Sequence, residues 1–561
     1  MSVSESITSS IVGSIVSSIN AIAGATLKFL ALVANSAGEM VGVKIGTGDI
    51  TEACTSVRYQ PDHEGIYRPF AANEPVQKLG RVVDNLAASP DSPATQNITV
   101  ISGHEYAVRI EGASGSTAVL SNAAVDTLTN NGADPITHDS GTPVTATTAT
   151  LTVTISGAVT NLLVVDVSGQ AIQLAPEYVT AKKVFSHANG NTVDGSGVVT
   201  EAKGADFDPQ PKSYVGPGLT NSAIRSDDLV TAPWSNSGSG TLNMDAPGIT
   251  GEPDKAGTHT PGAATDRIEH NSTGKASGAS VTYKIYIAKR SAGSSFPKLL
   301  FDLAGGTRKL FWVNVDPSNG DTHEHSSNPS ALTALETKVV GDFIEVLAEV
   351  PDASTNITVA FRGYSNAAAT LTSETDNGTT GVATAYTQLE LHEGKTIAEV
   401  RGTTPVFTSG ASATVNATNL SFDDANHPTE GGYFVEWTPE YATSEVSGDI
   451  EIISLDNNAG LLYYDADTSQ LKSTDGTNTA SVALTTVAGT TYKIWVAYGG
   501  TNLQVGVDAS TGTATSFDGA FASGTKIEIC TPADNVSSLR NMQTHKTDFD
   551  NAVTILQGLS A

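Results

Sequence analysis

The sequence has few charged residues and is poorest in basic ones. Asp, Glu, Lys and Arg make up 16% of the 561 residues, against about a quarter in an average globular domain. The 30 Lys and Arg residues face 59 Asp and Glu residues, which gives a formal charge of −29. Binding to nucleic acid or to an anionic membrane surface requires clustered basic side chains. The composition therefore argues against both partners, and its acidity favours solubility.

Cysteine is nearly absent, and so are the short motifs of common enzymes. The two cysteines are Cys54 and Cys530, whereas a disulfide scaffold would need more of them at suitable spacing. Neither lies near a histidine in a nucleophile or metal motif, so we predict buried or free thiols. A Gly-x-Ser-x-Gly elbow and a phosphate-binding loop are missing. We therefore predict no enzymatic activity and no cofactor.

Strong helix formers are also scarce, whereas Thr, Val and turn-forming residues are abundant. The hydrophobic share of 39%, together with 53 glycines, indicates a globular chain. The length favours three or four domains. These observations predict a mainly β fold, with several antiparallel jelly-roll or β-sandwich domains in tandem after an N-terminal α-helix.

The segment 1–40 is where we predict that helix. Between residues 6 and 39 its side chains are mostly apolar and small. The segment lacks the basic n-region of a standard signal peptide. Side chains at alternating spacings of three and four residues form a seam of Val12, Ile15, Ile19, Ile22, Thr26, Phe29 and Val33. Isoleucine at both kinds of seam position favours three or more helices. We predict helix-mediated assembly; the alternatives are a single helix packed on its own domain and a membrane span diluted by serines.

The remaining chain divides into segments by its strand pattern. An irregular junction is predicted at 41–94, a small β-sandwich at 95–170 and a connector at 171–218. A larger sandwich is predicted at 219–404 and a jelly roll with a C-terminal helix at 405–561. Strands with alternating apolar residues, separated by Gly and Asn clusters, are typical of two-sheet sandwiches.

Several strands have one clear apolar face, and 162–167 is apolar throughout, which predicts a central strand. A short helix is predicted around 548–558 from the helical spacing of Phe549, Val553 and Leu556. The predicted inward faces are Tyr106/Val108/Ile110, Leu151/Val153/Ile155, Val281/Tyr283/Ile285/Ile287, Tyr433/Val435/Trp437, Tyr492/Ile494/Val496/Tyr498, Leu503/Val505/Val507 and Ile527/Ile529.

Adjacent carboxylates occur at Asp227–Asp228 and at Asp423–Asp424. Glycosidases use a pair of carboxylates that flank one bond. Adjacent residues on a strand point to opposite faces, so neither pair has that arrangement. Since aspartate favours turns, we predict turn or surface roles and no catalytic residue.

Two stretches suggest metal ligands at first sight. His323, Glu324 and His325 would place two imidazoles on one face of a strand, but the sequence offers no third nearby ligand. The run DPSNGD at 316–321 is similar to a calcium loop, yet it lacks the acidic residue expected at position twelve. We predict a solvated loop for the first stretch, a turn for the second and no metal site.

Sugar binding would use aromatic faces together with Asp or Asn side chains. The candidates are Trp234, Trp312, Trp437, Trp495, Tyr463 and Tyr464. Trp437 and Trp495 lie within strands, where we predict core packing for at least one of them. Tyr463 and Tyr464 point to opposite faces of a strand. The sequence does not single out a ligand-contact residue.

Some phrases of the chain resemble the tail-fibre and appendage proteins of bacteriophages. They are NGNTVDGSGVVTEAKG, which ends at residue 204, GPGLTNSAIRSDDLVTAPW at 216–234, and AYTQLELHEG at 385–394. The resemblance covers roughly residues 95–561. It implies a carbohydrate-binding-like sandwich at 219–404 and a concanavalin/laminin-G-like jelly roll at 405–561. At Ser222 and Ala223 the sequence differs from the corresponding segment of the family, so the resemblance does not identify a ligand-contact residue.

The resemblance implies a structural virion appendage, a tail fibre or spike on the virion surface, that binds host-surface glycans. The expected partners are other copies of the chain in a homotrimer, other virion proteins through the N-terminal region, and host polysaccharide. A head fibre or capsid decoration protein without a receptor role is the main alternative. A polysaccharide depolymerase would show a solenoid repeat, which the sequence lacks, and a secreted bacterial adhesin is disfavoured by the missing signal peptide.

Overall fold

The computed structural model describes most of the chain from residue 26 onward. The described residues are 26–34, 40–44, 50–52, 54–72, 74, 76–131, 136–137, 143–168, 178–179, 183–185, 187–193, 199–206, 212–263, 265–273, 275–276, 278–290, 296–352, 354–375, 383–418, 420–423, 430–455, 458–518, 521, 526–529, 536–546 and 548–560. Antiparallel strands dominate among these residues and helices are few. The predicted mainly β fold of tandem sandwiches is therefore confirmed.

The first described strands precede the first sandwich and lie where a helix and an irregular junction were predicted. They are β1 (Thr26–Ala34), β2 (Met40–Lys44), β3 (Ile50–Glu52), β4 (Arg58–Pro61), β5 (Tyr67–Phe70), β6 (Gln77–Lys78) and β7 (Arg81–Val83). The helix predicted across 1–40 is wrong at β1, which pairs with β2 and carries Thr26, Phe29 and Val33. An apolar run fits a buried strand as well as a helix, and strand pairing decides between them. Val12, Ile15, Ile19 and Ile22 lie outside the described residues.

The first sandwich is built from two facing sheets. Its strands are β8 (Gln96–Thr99), β9 (Glu105–Gly112), β10 (Thr117–Asn122), β11 (Asp126–Thr129), β12 (Ile136–Thr137), β13 (Val144–Thr145), β14 (Thr150–Ser156) and β15 (Val159–Asp166). One sheet has the order β11–β10–β14–β8, and in the other β9 pairs with β12, β13 and β15. The predicted inward faces of β9 and β14 meet in the core between these sheets, which confirms both predictions.

Strand β15 differs from the prediction for 162–167. Within the described part of the chain it pairs with β9 alone, so it is not central. Both of its faces are nevertheless buried. Leu162 and Val164 join the core of the sandwich, whereas Leu163 and Val165 pack with Val83 from the preceding junction. Residues 162–167 are thus apolar throughout because the outer face of β15 is covered by the junction as well as the inner face by the core.

The connector adds strands to other units. It contains β16 (Lys183–Phe185), which pairs with β7, the hairpin of β17 (His187–Val193) and β18 (Val199–Asp206), and β19 (Lys212–Val215), which pairs with β6; β20 (Leu219–Asn221) begins directly after it.

The middle sandwich is the larger unit predicted around 219–404. Its strands are β21 (Trp234–Ser237), β22 (Thr241–Ala246), β23 (Ala256–Thr260), β24 (Arg267–Thr273), β25 (Val281–Ala288), β26 (Phe296–Ala304), β27 (Lys309–Val315), β28 (Thr322–Glu324), β29 (Ala334–Val340), β30 (Phe343–Val350), β31 (Thr358–Ala368) and β32 (Thr384–Glu393). The sheet orders are β21–β24–β31–β26–β27–β28 and β22–β23–β32–β25–β30–β29. Val281, Tyr283, Ile285 and Ile287 face the core between them, as predicted.

The C-terminal jelly roll follows a short helix, α1 (Ile397–Val400). Strand β33 (Ala413–Val415) lies between them and pairs with β20. The strands of the jelly roll are β34 (Leu420–Asp423), β35 (Gly431–Pro439), β36 (Asp449–Leu455), β37 (Asn458–Asp465), β38 (Gln470–Thr474), β39 (Thr479–Ala483), β40 (Tyr492–Gly499), β41 (Asn502–Val507), β42 (Ser510–Thr511), β43 (Thr515–Ser516), β44 (Lys526–Ile529) and β45 (Ser537–Lys546), with a 3-10 turn at Thr443–Glu445 and helix α2 (Phe549–Ser560). One sheet runs β3–β34–β44–β36–β37–β38–β39 and the other β2–β1–β45–β35–β40–β41–β42. The predicted inward faces of β35, β40, β41 and β44 all join their common core.

The sheets of this jelly roll extend beyond the segment 405–561. Strand β1 pairs with β45, β3 pairs with β34, and β19 pairs with β45. The N-terminal strands therefore complete a unit whose own strands lie several hundred positions later in the sequence. Sequence patterns record which residues are apolar but carry no information about such distant pairing.

Helix α2 closes one side of the jelly roll, as the spacing predicted. Leu556 is fully buried, and Phe549 and Val553 pack against the same cluster. The helix covers the face of β35 and β40 that points away from the main core, where Phe434 and Trp495 lie.

The sheet of the middle sandwich that contains β25 is buried on both faces. Its inner face joins the core, whereas its outer face is covered by the N-terminal junction and by the segment after β32. Tyr67 of β5 packs against Tyr286 of β25, with ring centroids 5.8 Å apart. Leu347 of β30 packs with Ile397 of α1. Polar residues on this outer face are thereby removed from water.

Arg401 joins the middle sandwich to the jelly roll. Its guanidinium donates to Glu336 of β29 at 2.7 Å, to Glu445 at 2.7 and 2.8 Å, and to the carbonyl oxygen of Glu440 at 2.7 Å. A cavity of about 420 Å³ opens beside these groups. Arg401 therefore holds the two units together, and its hydrogen-bond donors are paired with the carboxylates and the carbonyl oxygen beside this cavity.

Candidate functional site

The outer face of the middle-sandwich sheet that contains β27 is polar and aromatic. Successive strand residues point to opposite faces, and Phe301, Phe311 and Phe361 point into the core. The alternate positions, which point outward, are Arg267, Glu269, Lys298, Leu300, Asp302, Leu310, Trp312, Asn314, Arg362 and Tyr364. We call this set the Trp312 face.

Trp312 lies on β27, at the side of this face next to β28, and is partly exposed. The Lys298 Nζ atom lies 4.7 Å from the centre of the indole ring, a cation–π distance. The rings of Tyr364 and His325 lie 5.5 and 6.2 Å from it, tilted by 48° and 25°. These neighbours hold the indole in place, so it offers a fixed apolar surface to a ligand.

Ion pairs lie farther along the same face, on the side of β26, β31 and β24. Arg362 donates to Glu269 at 2.9 Å and also binds Asp302, while Arg308 donates to Asp302 at 2.9 Å and Arg267 binds Glu269. Burial alone would raise the pKa of Asp302, but hydrogen bonds from Arg308 and Arg362 outweigh it and lower the pKa. The face therefore presents oriented charged groups that can exchange hydrogen bonds with hydroxyl groups.

The histidine pair, predicted to lie in a solvated loop, lies instead on strand β28 and directly after it, at the edge of the same face, and His325 is buried. The Nε2 atom of His323 is 3.3 Å from Glu374, and that of His325 is 2.9 Å from Asn314 Oδ1. The hydroxyl and N–H groups of Ser326 donate to Glu374, and these bonds lower the Glu374 pKa to about 2. Within the described ranges, no three His, Cys, Asp or Glu side chains converge to hold a metal ion.

Glu324 and the run 316–321 have structural contacts. Glu324 accepts a hydrogen bond from the Leu332 N–H at 2.9 Å. The run forms the turn between β27 and β28, in which the Asp316 N–H donates to the Asp321 carbonyl oxygen at 2.7 Å. The predicted turn is confirmed.

The other aromatic candidates are less accessible. Trp437, Trp495 and Tyr464 are fully buried, which confirms core packing for the strand tryptophans. Trp234 is also buried and donates its indole N–H to a backbone carbonyl at 2.8 Å. Tyr463 is half-buried. Among the predicted tryptophans, Trp312 alone combines exposure with polar neighbours.

The carboxylates at 227 and 228 lie in a turn region, as predicted. Asp227 pairs with Lys255 at 3.4 Å, whereas Asp228 pairs with Arg225 at 3.3 Å. The two carboxylates thus have different partners.

Two of the four remaining candidates, Asp423 and Cys54, lie in the part of the chain that the structure describes. Asp423 ends β34, and Asp424 and Cys530 lie outside the described residues. Cys54 is buried, and burial raises the pKa of its thiol, as expected for a structural cysteine.

Comparison with known proteins gives no family assignment: no family model matches the chain, and no curated protein matches it either. In the part of the chain that the structure describes, no helix has the length and hydropathy needed to cross a membrane.

The sequence pointed to Trp312 but missed its surroundings. Lys298 lies on the preceding strand β26, whereas Tyr364 of β31 and Arg267 of β24 lie about 40 to 50 residues away in sequence, so no local motif connects the group. One feature of the sequence could have shown that Trp312 points outward. Phe311 and Val313 flank it in β27 and point into the core, and successive strand residues point to opposite faces.

Proposed function

We propose that this protein is a structural bacteriophage virion appendage, a tail fibre or spike, that binds host-surface glycans and has no enzymatic activity. The observation that carries the proposal is the Trp312 face on a tandem β-sandwich chain. Glycan recognition commonly places an aromatic ring under the apolar side of a sugar and charged or amide groups at its hydroxyls. Lys298 lies over the indole, and Arg267, which lies over the ring of Tyr364, and Glu269 are charged groups farther along the same face for the second task.

The proposed location is the virion surface, with several copies assembled as a homotrimer. One shallow face binds weakly, and linked copies raise the effective concentration of the others. The net charge of −29 makes neutral sugars better partners than acidic ones, because like charges repel. Immunogold labelling of particles tests the location: label on a tail or spike is expected, and label on the head would indicate a decoration protein.

Replacing Trp312 by alanine is expected to weaken glycan binding about tenfold or more, which corresponds to about 1.4 kcal/mol. The stacking surface is lost, while the core residues of β27 keep their contacts. A glycan array with the purified chain identifies the ligand, and calorimetry with that ligand measures the affinity.

Tyr463→Ala is the matched control, since it removes a half-buried aromatic ring from the jelly roll. It is expected to bind the glycan as the unaltered chain does. If both variants bind equally well, the Trp312 face is not the glycan site. Cleavage of the polysaccharide by the purified chain would contradict the non-enzymatic part of the proposal.

Removal of residues 1–25 is expected to convert the trimer to a monomer. The four seam residues Val12, Ile15, Ile19 and Ile22 fall in this segment, and the deletion leaves β1 paired with β45. Sedimentation velocity of the full and shortened chains measures the change. An unchanged oligomer would show that assembly depends on the β units.

A further inference from the structure

A second cavity lies between the N-terminal junction and the middle sandwich, away from the Trp312 face. It has a volume of about 230 Å³, below the roughly 300–1,000 Å³ of sites that hold drug-sized ligands. It is lined by Tyr59, Asp227, Ile249, Glu252, Lys255 and Phe407. A site of this size holds a small ligand.

Two aromatic rings form a corner of this cavity. The centroids of Tyr59 and Phe407 lie 4.8 Å apart, and the ring planes meet at 69°. Both residues are only partly buried. The rings meet edge to face and both line the cavity. Aromatic rings that line a small site can bind organic ammonium ions through their electron-rich faces.

The charges at the cavity are predominantly negative. Asp227 faces Lys255 at 3.4 Å, in a half-exposed pair. Glu252, in contrast, has no ion-pair partner among the described residues. Burial and then the negative charges of Glu252 and Asp227 raise the pKa of Tyr59, which places both carboxylates near the phenol.

The loop that carries Glu252 is fixed by backbone hydrogen bonds. The Gly248 N–H donates to the Glu252 carbonyl oxygen at 3.0 Å, and the Ile249 carbonyl oxygen accepts from Tyr67 of β5 at 2.9 Å. Gly251 has a φ of +77° at a close approach to Ser168. The backbone that carries Glu252 is therefore fixed before a ligand arrives, which lowers the entropy lost on binding.

We propose that this cavity binds a small organic ammonium ion, with Tyr59 and Phe407 around the cationic group and Glu252 as its counter-ion. An unpaired carboxylate beside two aromatic rings suits a cation that carries apolar methyl or methylene groups. A neutral sugar would leave the Glu252 charge uncompensated. The ammonium group could belong to an amino sugar or to a choline substituent, and the two sources share this chemistry. The inference does not depend on glycan binding at the Trp312 face.

Isothermal titration calorimetry of the full chain at pH 7 tests the proposal with choline and glucosamine as probes. Glucose and the uncharged tert-butyl analogue of choline serve as neutral counterparts of the two cations. We expect at least one cation to bind about tenfold or more tightly than its neutral counterpart. Preference for choline or for glucosamine distinguishes the two sources.

Glu252→Gln keeps the shape of the side chain and removes its charge, and we expect it to weaken binding of the cation about tenfold. Asp245→Asn is the matched control, because Asp245 lies exposed on β22 nearby and does not line the cavity. Thermal melting of both variants checks the fold. Equal affinity of cation and neutral counterpart, equal effects of the two substitutions, or no binding of either cation at millimolar concentration would overturn the proposal. Trp312→Ala is expected to leave cation binding unchanged.

Discussion

Replacing Lys284 by methionine is expected to lower the free energy of unfolding by about 3–5 kcal/mol, the usual cost of removing one partner from a buried charge cluster. Lys284 lies on β25 and is fully buried. Its Nζ atom is 3.7 Å from both Glu345 and Glu390 and donates to the Thr403 carbonyl oxygen at 3.1 Å. Methionine fills similar space but leaves both carboxylates without this cation.

The surrounding contacts explain why the loss is large. Tyr286 donates a hydrogen bond to Glu345 at 2.6 Å, and His392 lies 3.0 Å from Glu390. Burial alone would raise the pKa of Glu390, but the charge of Lys284 and the contact with His392 outweigh burial and lower the pKa. Without Lys284 the buried carboxylate must be protonated or solvated, and either change costs free energy.

Urea unfolding at pH 7 measures the effect, with Lys289→Met as the matched control. Lys289 follows β25 in sequence and is exposed, so its replacement should change stability by less than about 0.5 kcal/mol. Adding Glu390→Gln to Lys284→Met should recover part of the loss, because it removes one uncompensated charge. Equal stabilities of the two lysine variants would contradict the buried cluster.

Replacing Glu440 by glutamine is expected to cost about 3 kcal/mol at pH 7, and the cost should disappear near pH 2. Glu440 binds Lys78 of β6, and it joins the N-terminal junction to the jelly roll. Burial opposes its ionisation, but the positive charges of Lys78, Lys338 and Lys212 lower its pKa from 4.5 to about 2. Each pKa unit corresponds to about 1.4 kcal/mol of stability, which gives the expected cost.

The direction of the pH dependence follows from linkage. The unfolded chain takes up a proton at Glu440 near pH 4.5, whereas the folded chain takes it up near pH 2. The stabilisation from Glu440 is therefore fully present above pH 4.5 and is lost as the pH falls toward 2.

Urea unfolding from pH 7 to pH 2 measures this dependence as a difference between the unaltered chain and Glu440→Gln, so that other titrating groups cancel. Glu430→Gln, at an exposed position before β35, is the control and should differ by less than about 0.5 kcal/mol. A constant difference between pH 7 and pH 2 would show that the Glu440 carboxylate contributes no charge-dependent stability.

The inward faces of the strands could be predicted because side chains alternate across a strand. Tyr433, Val435 and Trp437 reach the core, as do Tyr283 and Ile285. The turn at 316–321 was equally clear, because Asp and Gly there satisfy local backbone demands. Each of these features depends on residues close in sequence.

The buried charges could not be predicted in this way. Lys284 occupies the outward position between Tyr283 and Ile285, and alternation assigns such a position to solvent. It is buried because Tyr67, more than 200 residues earlier, and the segment around Thr403 cover that side of the sheet. The same long-range pairing made β1 a strand, since β45 supplies its partner.

The sequence by itself determined the acidic, mainly β character of the protein, the inward face of most strands and the C-terminal helix. These follow from composition and from periodicity within single elements. The tertiary structure alone decided which outward faces stay exposed. It left Trp312 at the surface with Lys298 beside it, buried Lys284 among carboxylates, and set Tyr59 against Phe407 at a cavity. Those outcomes depend on contacts between segments that are far apart in sequence. The free energy of such contacts cannot be read from the pattern of residues within one strand or helix.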